Sequence, residues 1–403
     1  MHIAFMTPEY AAPDAGTGGL GAYLRKTAAA LAARGHRVSV FLQGDQARQW
    51  QDESVAVYGV ERARPWPWAR HIGWVAAVAP AIRQVGSARR LAASVRRVHA
   101  RDPIDIIQAA SFMAPGLAML GNGRIPVVCR ASSYTPLWRA AYGTRRTAAQ
   151  YLCDGLELRQ FVGADSVYAP SQFLAGMLAR IEGLPCAVVR TPLPAAGPTD
   201  GAFYETHLRG KSYLLHFGSL SRLKGTDLLG RALPAVLARH PQLWLAVIGR
   251  DNGLPDGRRM ADALRADLGS FADRLVVHSP LPQSSLPPVI AGAAGVLMPS
   301  RVDNYPNACL EAQAQGVPVI GAMDSSIEEL VTDGETGFLV RQADPASLTE
   351  GVERLLALNA GQRQAMQQRI RAAVEGIASE DRVGQLLDYY AGVIGRFADG
   401  TAR

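Results

Sequence analysis

Little in this 403-residue chain could hold a metal or form a disulfide framework. Its four cysteines, Cys129, Cys153, Cys186 and Cys309, are far apart and form no CxxC. That excludes a stapled secreted domain and a structural zinc site, and fits a reduced cytoplasmic setting. D-x-D is missing, since Asp102 and Asp105 are three apart, and so are H-E-x-x-H, Walker A and a Ser-His-Asp set. No metal site and no bound cofactor are expected. No uncharged apolar run reaches the ~18 residues of a membrane span, and MHIAFMTPEY lacks the basic start and apolar core of a signal peptide. Lysine is scarce: only Lys26, Lys211 and Lys224 accompany 39 arginines.

What is present reads as a globular α/β protein. Hydrophobic residues make up 48% of the chain, and the mean hydropathy is +0.02. The length exceeds one ordinary core, so two domains of about 200 residues are expected. Short apolar runs such as His2–Met6, Val38–Leu42, Ile104–Gln108 and Ser166–Ala169 alternate with helical patterns such as Ala22–Arg34. This βαβ alternation predicts a parallel sheet covered on both faces. A Pro- and Gly-rich linker, Thr191–Gly201, interrupts it. It then restarts with strand Tyr213–Phe217, helix Thr226–Arg239, strand Leu243–Ile248, helix Arg258–Leu268, and strands Leu275–His278 and Gly295–Pro299. Two doubly wound domains joined by a hinge follow.

Charge is divided unevenly between these halves. Residues 1–195 carry 22 Lys and Arg against 12 Asp and Glu, and residues 196–403 carry 20 against 23. The whole excess of +7 therefore belongs to the first half, which points to an anionic partner there. Much of it lies in Arg62–Arg101, which holds nine arginines, no acid, and Trp66, Trp68 and Trp74. A basic amphipath with interleaved Trp suits an anionic membrane surface, and an Arg-rich solvated helix is the plainer alternative. No reader motif accompanies the charge, so nucleic acid is not expected as a partner.

The most informative segment runs from Met298 to Val340. Asp303 and Glu311 stand eight residues apart around a helix start that Asn304 or Asn307 can cap, with Pro306 in the first turn and Gly316 as the stop. Asn307 and Glu311, four apart, share a helix face. A helix N-terminus beside acidic acceptors suits a ligand with both hydroxyls and anionic groups, as a nucleotide-sugar has. Farther back, FGSLSRLKG (Phe217–Gly225) leaves a strand and opens a helix, the usual phosphate position of a parallel sheet. There Gly218 allows close backbone approach and Lys224 can reach an oxyanion.

These residues resemble the nucleotide-sugar site of the family-4 (group 1) retaining glycosyltransferases. The family signature is an acid, seven residues, Glu-Ala, and a Gly-x-Pro-Val strand. Here it reads Asp303, Glu311-Ala312 and Gly316-Val317-Pro318-Val319, with Asp where the family usually has Glu. The resemblance implies the GT-B fold, two Rossmann-like domains facing each other across a cleft. The first would span 1–195, completed by a C-terminal helix at about 380–403, and the donor domain would span 196–379. It implies that Lys224 neutralises the donor diphosphate; Ser219 stands where the family has Arg, and Arg222 is the candidate substitute. Glu311 would bind the ribose and Asp303 a sugar hydroxyl, with Asn304, Tyr305 and Asn307 beside them. Gly249, Arg250 and Leu281 lie in loops that would hold the base. Asp303, Lys224 and Glu311 are the catalytic candidates.

In the first half, Gly16, Gly18 and Gly21 satisfy G-x-G-x-x-G, but the first strand ends near Met6, too early for a dinucleotide turn. The loop resembles the family's N-terminal glycine loop, with Gly18 and Gly19 approaching donor or acceptor. Ser132 lies roughly where many members carry a sugar-contacting His. The implied activity is transfer of a sugar from UDP or GDP to a sugar or lipid-linked acceptor with retention, without a bound metal. The implied location is cytoplasmic, peripheral on the inner face of the plasma membrane if the basic segment binds lipid. The departures at Ser219, Ser132 and Asp303 leave two alternatives: a weak or inactive nucleotide-sugar-binding subunit, and a GT-B epimerase.

Overall fold

The computed structural model describes residues 1–10, 19–64, 72–143, 145–192, 197–254 and 256–401, without the side chains of residues 74 and 76. Among these, residues 1–192 together with 381–401 form one compact unit, and 197–380 form another.

The first unit is built on eight strands: β1 (His2–Thr7), β2 (Arg37–Gly44), β3 (Arg48–Asp52), β4 (Val55–Glu61), β5 (Ile106–Ala110), β6 (Val127–Arg130), β7 (Ser166–Ala169) and β8 (Ala187–Val188). Their order is β3-β4-β2-β1-β5-β6-β7-β8. Chain order reverses between β1 and β5, so the loops after these two strands flank the unit's switch point. β1 is buried along its whole length, as a strand covered on both faces must be. One expectation needs correction: the sheet is not wholly parallel, because β3 pairs antiparallel with β4. Its sequence, RQWQD, is polar and mostly exposed, so no hydrophobic pattern marks it. Asp52 at its end is held instead by two hydrogen bonds from Arg25 (2.8 and 3.1 Å) and one from the Tyr10 hydroxyl (2.9 Å).

The chain's last helix, Arg382–Ala398, packs into this unit. Leu386, Tyr390 and Val393, spaced along one face, are buried with Tyr23, Leu24 and Tyr168. The hydroxyls of Tyr390 and Tyr168 both donate to Gln108 Oε1 at 2.5 Å, and the Arg382 guanidinium donates to the Thr191 carbonyl at 2.7 Å.

The second unit has six strands, all parallel: β9 (Ser212–Leu220), β10 (Leu243–Asp251), β11 (Leu275–His278), β12 (Gly295–Met298), β13 (Val319–Ala322) and β14 (Gly337–Val340). The order is β11-β10-β9-β12-β13-β14, so its switch point lies between β9 and β12. The helix Thr226–Arg239 after β9 buries Leu228, Leu229, Leu233, Val236 and Leu237 against the sheet, which fixes where its first turn stands. Ligands of such sheets bind beyond the carboxyl ends of the strands at this crossover.

Candidate functional site

The two loops at the second unit's switch point are pinned to each other. After β9 the chain passes through Ser221–Gly225 into the helix; after β12 it passes through Pro299–Pro306 into the helix Asn307–Ala314. Gly225 has φ 72°, and a Cβ there would lie 2.1 Å from the Pro299 carbonyl oxygen, so only glycine lets the loops approach this closely. Gly249 at the end of β10 is under the same constraint, with a Cβ position 1.6 Å from the Gly218 oxygen.

Across this contact Lys224 Nζ donates to Asp303 Oδ2 at 2.7 Å. The Ser300 hydroxyl donates to the same oxygen (3.0 Å), and the Asn304 amide donates to Oδ1 (3.1 Å). Asp303 is thus a buried carboxylate with three donors, while the Lys224 side chain keeps a third of its surface exposed. A carboxylate has about four acceptor sites and an ammonium three protons, so both retain capacity for a ligand. A second ion pair joins the same loops: Arg301 donates to both Asp227 oxygens at 2.6 and 2.8 Å and to the Arg222 carbonyl.

Beneath the pair lies His216, fully buried on β9. Its Nδ1 meets the Leu297 carbonyl of β12 and its Nε2 meets Thr226 Oγ1, both at 2.9 Å. The carbonyl can only accept, so Nδ1 carries the proton and Nε2 accepts from the threonine. Burial lowers the His216 pKa to about 4 and keeps the ring neutral.

The helix Asn307–Ala314 starts differently from expectation. Neither Asn304 nor Asn307 caps it: Pro306 is the N-cap residue, and Asn307 is already helical. Tyr305 takes φ 54°, and its amide donates to Ser326 Oγ, which itself donates to the Asp303 carbonyl at 3.1 Å. That turn carries the chain past Asn304, so Pro306 becomes the last extended residue. Strain of this kind concentrates at functional sites. Asn307 and Glu311 remain one turn apart on this helix, and Gln283 Nε2 donates to Glu311 Oε1 at 3.2 Å. The segment before Gln283 brings the half-buried Leu281 against the same core that buries Tyr305 and Leu310.

Other sequence candidates fall into place unequally. Ser219 accepts a hydrogen bond from Asn252 (2.7 Å) and supplies no charge. Arg222 has a buried Nε with no hydrogen-bond partner. Arg250 is exposed at the end of β10. Gly18 lies outside the described residues, and Gly19 is the first residue of the helix Gly19–Ala33. Ser132 sits after β6, 3.3 Å from Ser111 Oγ at the end of β5. Trp66, Trp68 and Arg70 also lie outside the described residues. Sequence reading missed His216, Ser300, Arg301 and Ser326, because each acts through partners distant in the chain. Among the described residues no group of three His, Cys, Asp or Glu is placed to hold a metal.

The chain is thus a two-unit α/β protein with charged loops at a parallel-sheet crossover. Residues 17–193 match the model of Glycosyltransferase Family 4, and residues 211–358 match that of Glycosyl transferases group 1. The chain belongs to the group 1 glycosyltransferases. It is 36% identical over 155 residues to a D-inositol 3-phosphate glycosyltransferase of Frankia alni, covering 37% of each chain. Its matches above 30% identity span only 30–43% of the length of those curated relatives. Among solved structures it is similar to sucrose-phosphate synthase from Thermosynechococcus elongatus (TM-score 0.78, 20% identity, 98% of this chain and 99% of that one). It is also similar to HepE of Anabaena in complex with UDP (TM-score 0.67, 18% identity, 97% and 100%). Likeness at these identities carries the fold, which is GT-B.

The His216 clamp makes a pH prediction. Its folded pKa is below the unfolded value of 6.5, so its contribution is present above 6.5 and is lost as pH falls through about 4. A shift of this size corresponds to about 3 kcal/mol. Urea unfolding at pH 7 and pH 4.5 should show this acid loss in the native protein and less of it in His216→Gln. Equal losses in both would refute the clamp.

Proposed function

We propose that the protein is a retaining glycosyltransferase that moves a sugar from UDP or GDP onto a hydroxyl of a sugar, polyol or lipid-linked acceptor. The observation carrying this reading is the meeting of Lys224 and Asp303 at the β9–β12 switch point, beside the N-terminus of the Glu311 helix. Lys224 has two protons left for diphosphate oxygens once Asp303 has taken one. The Arg222 Nε, buried without a partner, is a second donor for that charge and replaces the arginine missing at position 219. The N-terminus of the helix Asn307–Ala314 adds partial positive charge. With these groups the donor needs no divalent ion.

Glu311 accepts the ribose hydroxyls, and the remaining acceptor site of Asp303 takes a hydroxyl of the transferred sugar, with Asn304, Tyr305 and Asn307 around it. Gly218, Gly249, Arg250 and Leu281 line the base side. In the first unit, Gly18 and Gly19 serve the donor phosphates or the acceptor, and Ser132 serves a hydroxyl of the transferred sugar. The acceptor oxygen bonds to the anomeric carbon as the bond to the diphosphate breaks. The electron pair leaves on the phosphate oxygen, which takes the acceptor's proton. Catalysis is then positioning plus stabilisation of the leaving charge. The relatives named for inositol phosphate and sucrose phosphate suggest a phosphorylated acceptor, which agrees with the basic balance of residues 1–195.

One observation favours a second reading, a nucleotide-sugar-binding subunit with weak turnover: Ser219 is committed to Asn252 and carries no charge, which leaves the diphosphate one cation short unless Arg222 supplies it. Slow hydrolysis of a UDP- or GDP-sugar without acceptor separates the two. The enzyme reading expects turnover that survives EDTA and falls roughly ten- to a hundredfold in Lys224→Ala and in Glu311→Ala, as loss of a hydrogen bond to a charged group implies. Binding without turnover would favour the subunit.

The basic segment supports peripheral attachment to the inner face of the plasma membrane. On the helix Gly73–His99, Leu91, Ala92 and Val95 are buried in the unit, whereas Arg83, Arg89, Arg90, Arg96 and Arg97 are exposed. Leu91, Ala92 and Val95 are already used in the core, so along this half of the helix attraction to lipid is electrostatic rather than insertive. Among the described residues no helix is long and apolar enough to cross a membrane. Co-sedimentation with phosphatidylserine vesicles should be strong at low salt, weak at high salt, and lost when these five arginines become serine. Unchanged sedimentation of that variant would remove the membrane from the account.

A further inference from the structure

A cavity of about 200 Å³ lies in the first unit, and none of its lining residues belongs to the donor machinery. It opens between the loop after β6, the helix Ala148–Gly163 and the end of the helix Gln172–Glu182. Tyr134, Tyr151 and Phe161 give it aromatic walls; Asp154, Glu182 and Arg146 give it polar ones. It is smaller than the ~300–1,000 Å³ of pockets for drug-sized ligands, so it has room for a single ring and not for a nucleotide.

Its polar groups are incompletely satisfied. Asp154 is 7% exposed, and its Oδ1 accepts from Arg139 Nε at 3.0 Å. Its Oδ2 is buried and receives no hydrogen bond; Arg146 Nη1 stands 3.8 Å away, beyond hydrogen-bonding distance. A buried carboxylate oxygen in this state is costly unless a ligand donates to it. The Tyr134 hydroxyl donates to one oxygen of Glu182. Arg146 lies over the Tyr151 ring, 5.4 Å from its centroid, at the more exposed side of the cavity. Gly155, exposed on the helix at the cavity's rim, adds no side chain to it, and a Cβ there would meet nothing within 4 Å.

The charges nearly balance. Arg139 and Arg146 offset Asp154 and Glu182, and burial pushes the remaining carboxyl, Glu157, up to about 7. A neutral guest therefore fits better than an ion. Glu157 also ties the site to the loops at the carboxyl edge of the sheet, accepting from the Met113 amide at 2.8 Å and from the Thr135 hydroxyl.

The geometry points to a binding site for one neutral saccharide ring, its hydroxyls donating to Asp154 and Glu182 and accepting from Arg146, its C–H face against the tyrosines. The choice of a saccharide among neutral polyols rests on the glycosyltransferase reading; the cavity and its unsatisfied acceptor do not.

Ligand-observed saturation-transfer NMR on the full-length protein tests this, with methyl α-glucoside, methyl α-mannoside and methyl α-maltoside as probes. Transfer to the ring protons of at least one probe is expected. Gly155→Leu fills the space while improving the helix, and should weaken that binding by about tenfold or more; Asp154→Asn, which keeps the shape, should weaken it less. Tighter binding of the maltoside than of the glucoside assigns the site to an extended acceptor, and equal binding assigns it to a free sugar. Absence of transfer from all three probes, or equal transfer in Gly155→Leu, overturns the site. Thermal shift with UDP and GDP reports on the donor reading separately, so each can fail without the other.

Discussion

The ion pair between Lys224 and Asp303 is the contact on which the rest of the site depends. The two residues are 79 positions apart, and only the order of the second sheet, with β9 beside β12, brings their loops together. A charge placed at a partly buried crossover needs compensation. Three donors surround the carboxylate, and glycine at 225 allows the backbone approach that makes those distances possible. Arg301 and Asp227 repeat the device one turn away.

This arrangement gives Asp303 a role that its place in the motif does not reveal. A shorter acid than the family's usual glutamate sits close to its own loop, where Ser300 and the Asn304 amide saturate much of it. It aims the ammonium, and in the proposed reading it also offers an acceptor to the sugar. The floor under it is equally specified. A neutral His216 bridges β9, β12 and the start of the following helix, and Ser326 holds the strained Tyr305 turn. The unit thus presents a few charges with spare hydrogen-bonding capacity on a closely specified scaffold.

Much of the architecture was legible in the sequence. Thr226–Arg239 and Leu275–His278 match the observed elements, because apolar spacing, with Gly225 and Pro241 around the helix and Pro280 beyond the strand, leaves one answer. β3 was not, since a polar strand pinned by Asp52, Arg25 and Tyr10 carries no periodic signal. The start of the Glu311 helix was misread because the positive φ at Tyr305 arises from Ser326, twenty-one residues on. Lys224 and Asp303 each stand out in the sequence as candidate ligand contacts, but their partnership does not; it comes from strand order. The cavity beside Gly155 has no sequence signal either, because its lining residues come from separate helices and loops.

The most direct test of the central claim is a double-mutant cycle on the Kd for UDP or GDP, whichever binds more tightly, with Lys224→Met and Asp303→Asn. If Asp303 acts on the diphosphate by holding the ammonium, each single change weakens binding and the double variant is no weaker than Lys224→Met, leaving a coupling energy of about 0.5–3 kcal/mol. Losses that simply add would show two side chains acting independently, and would contradict the account.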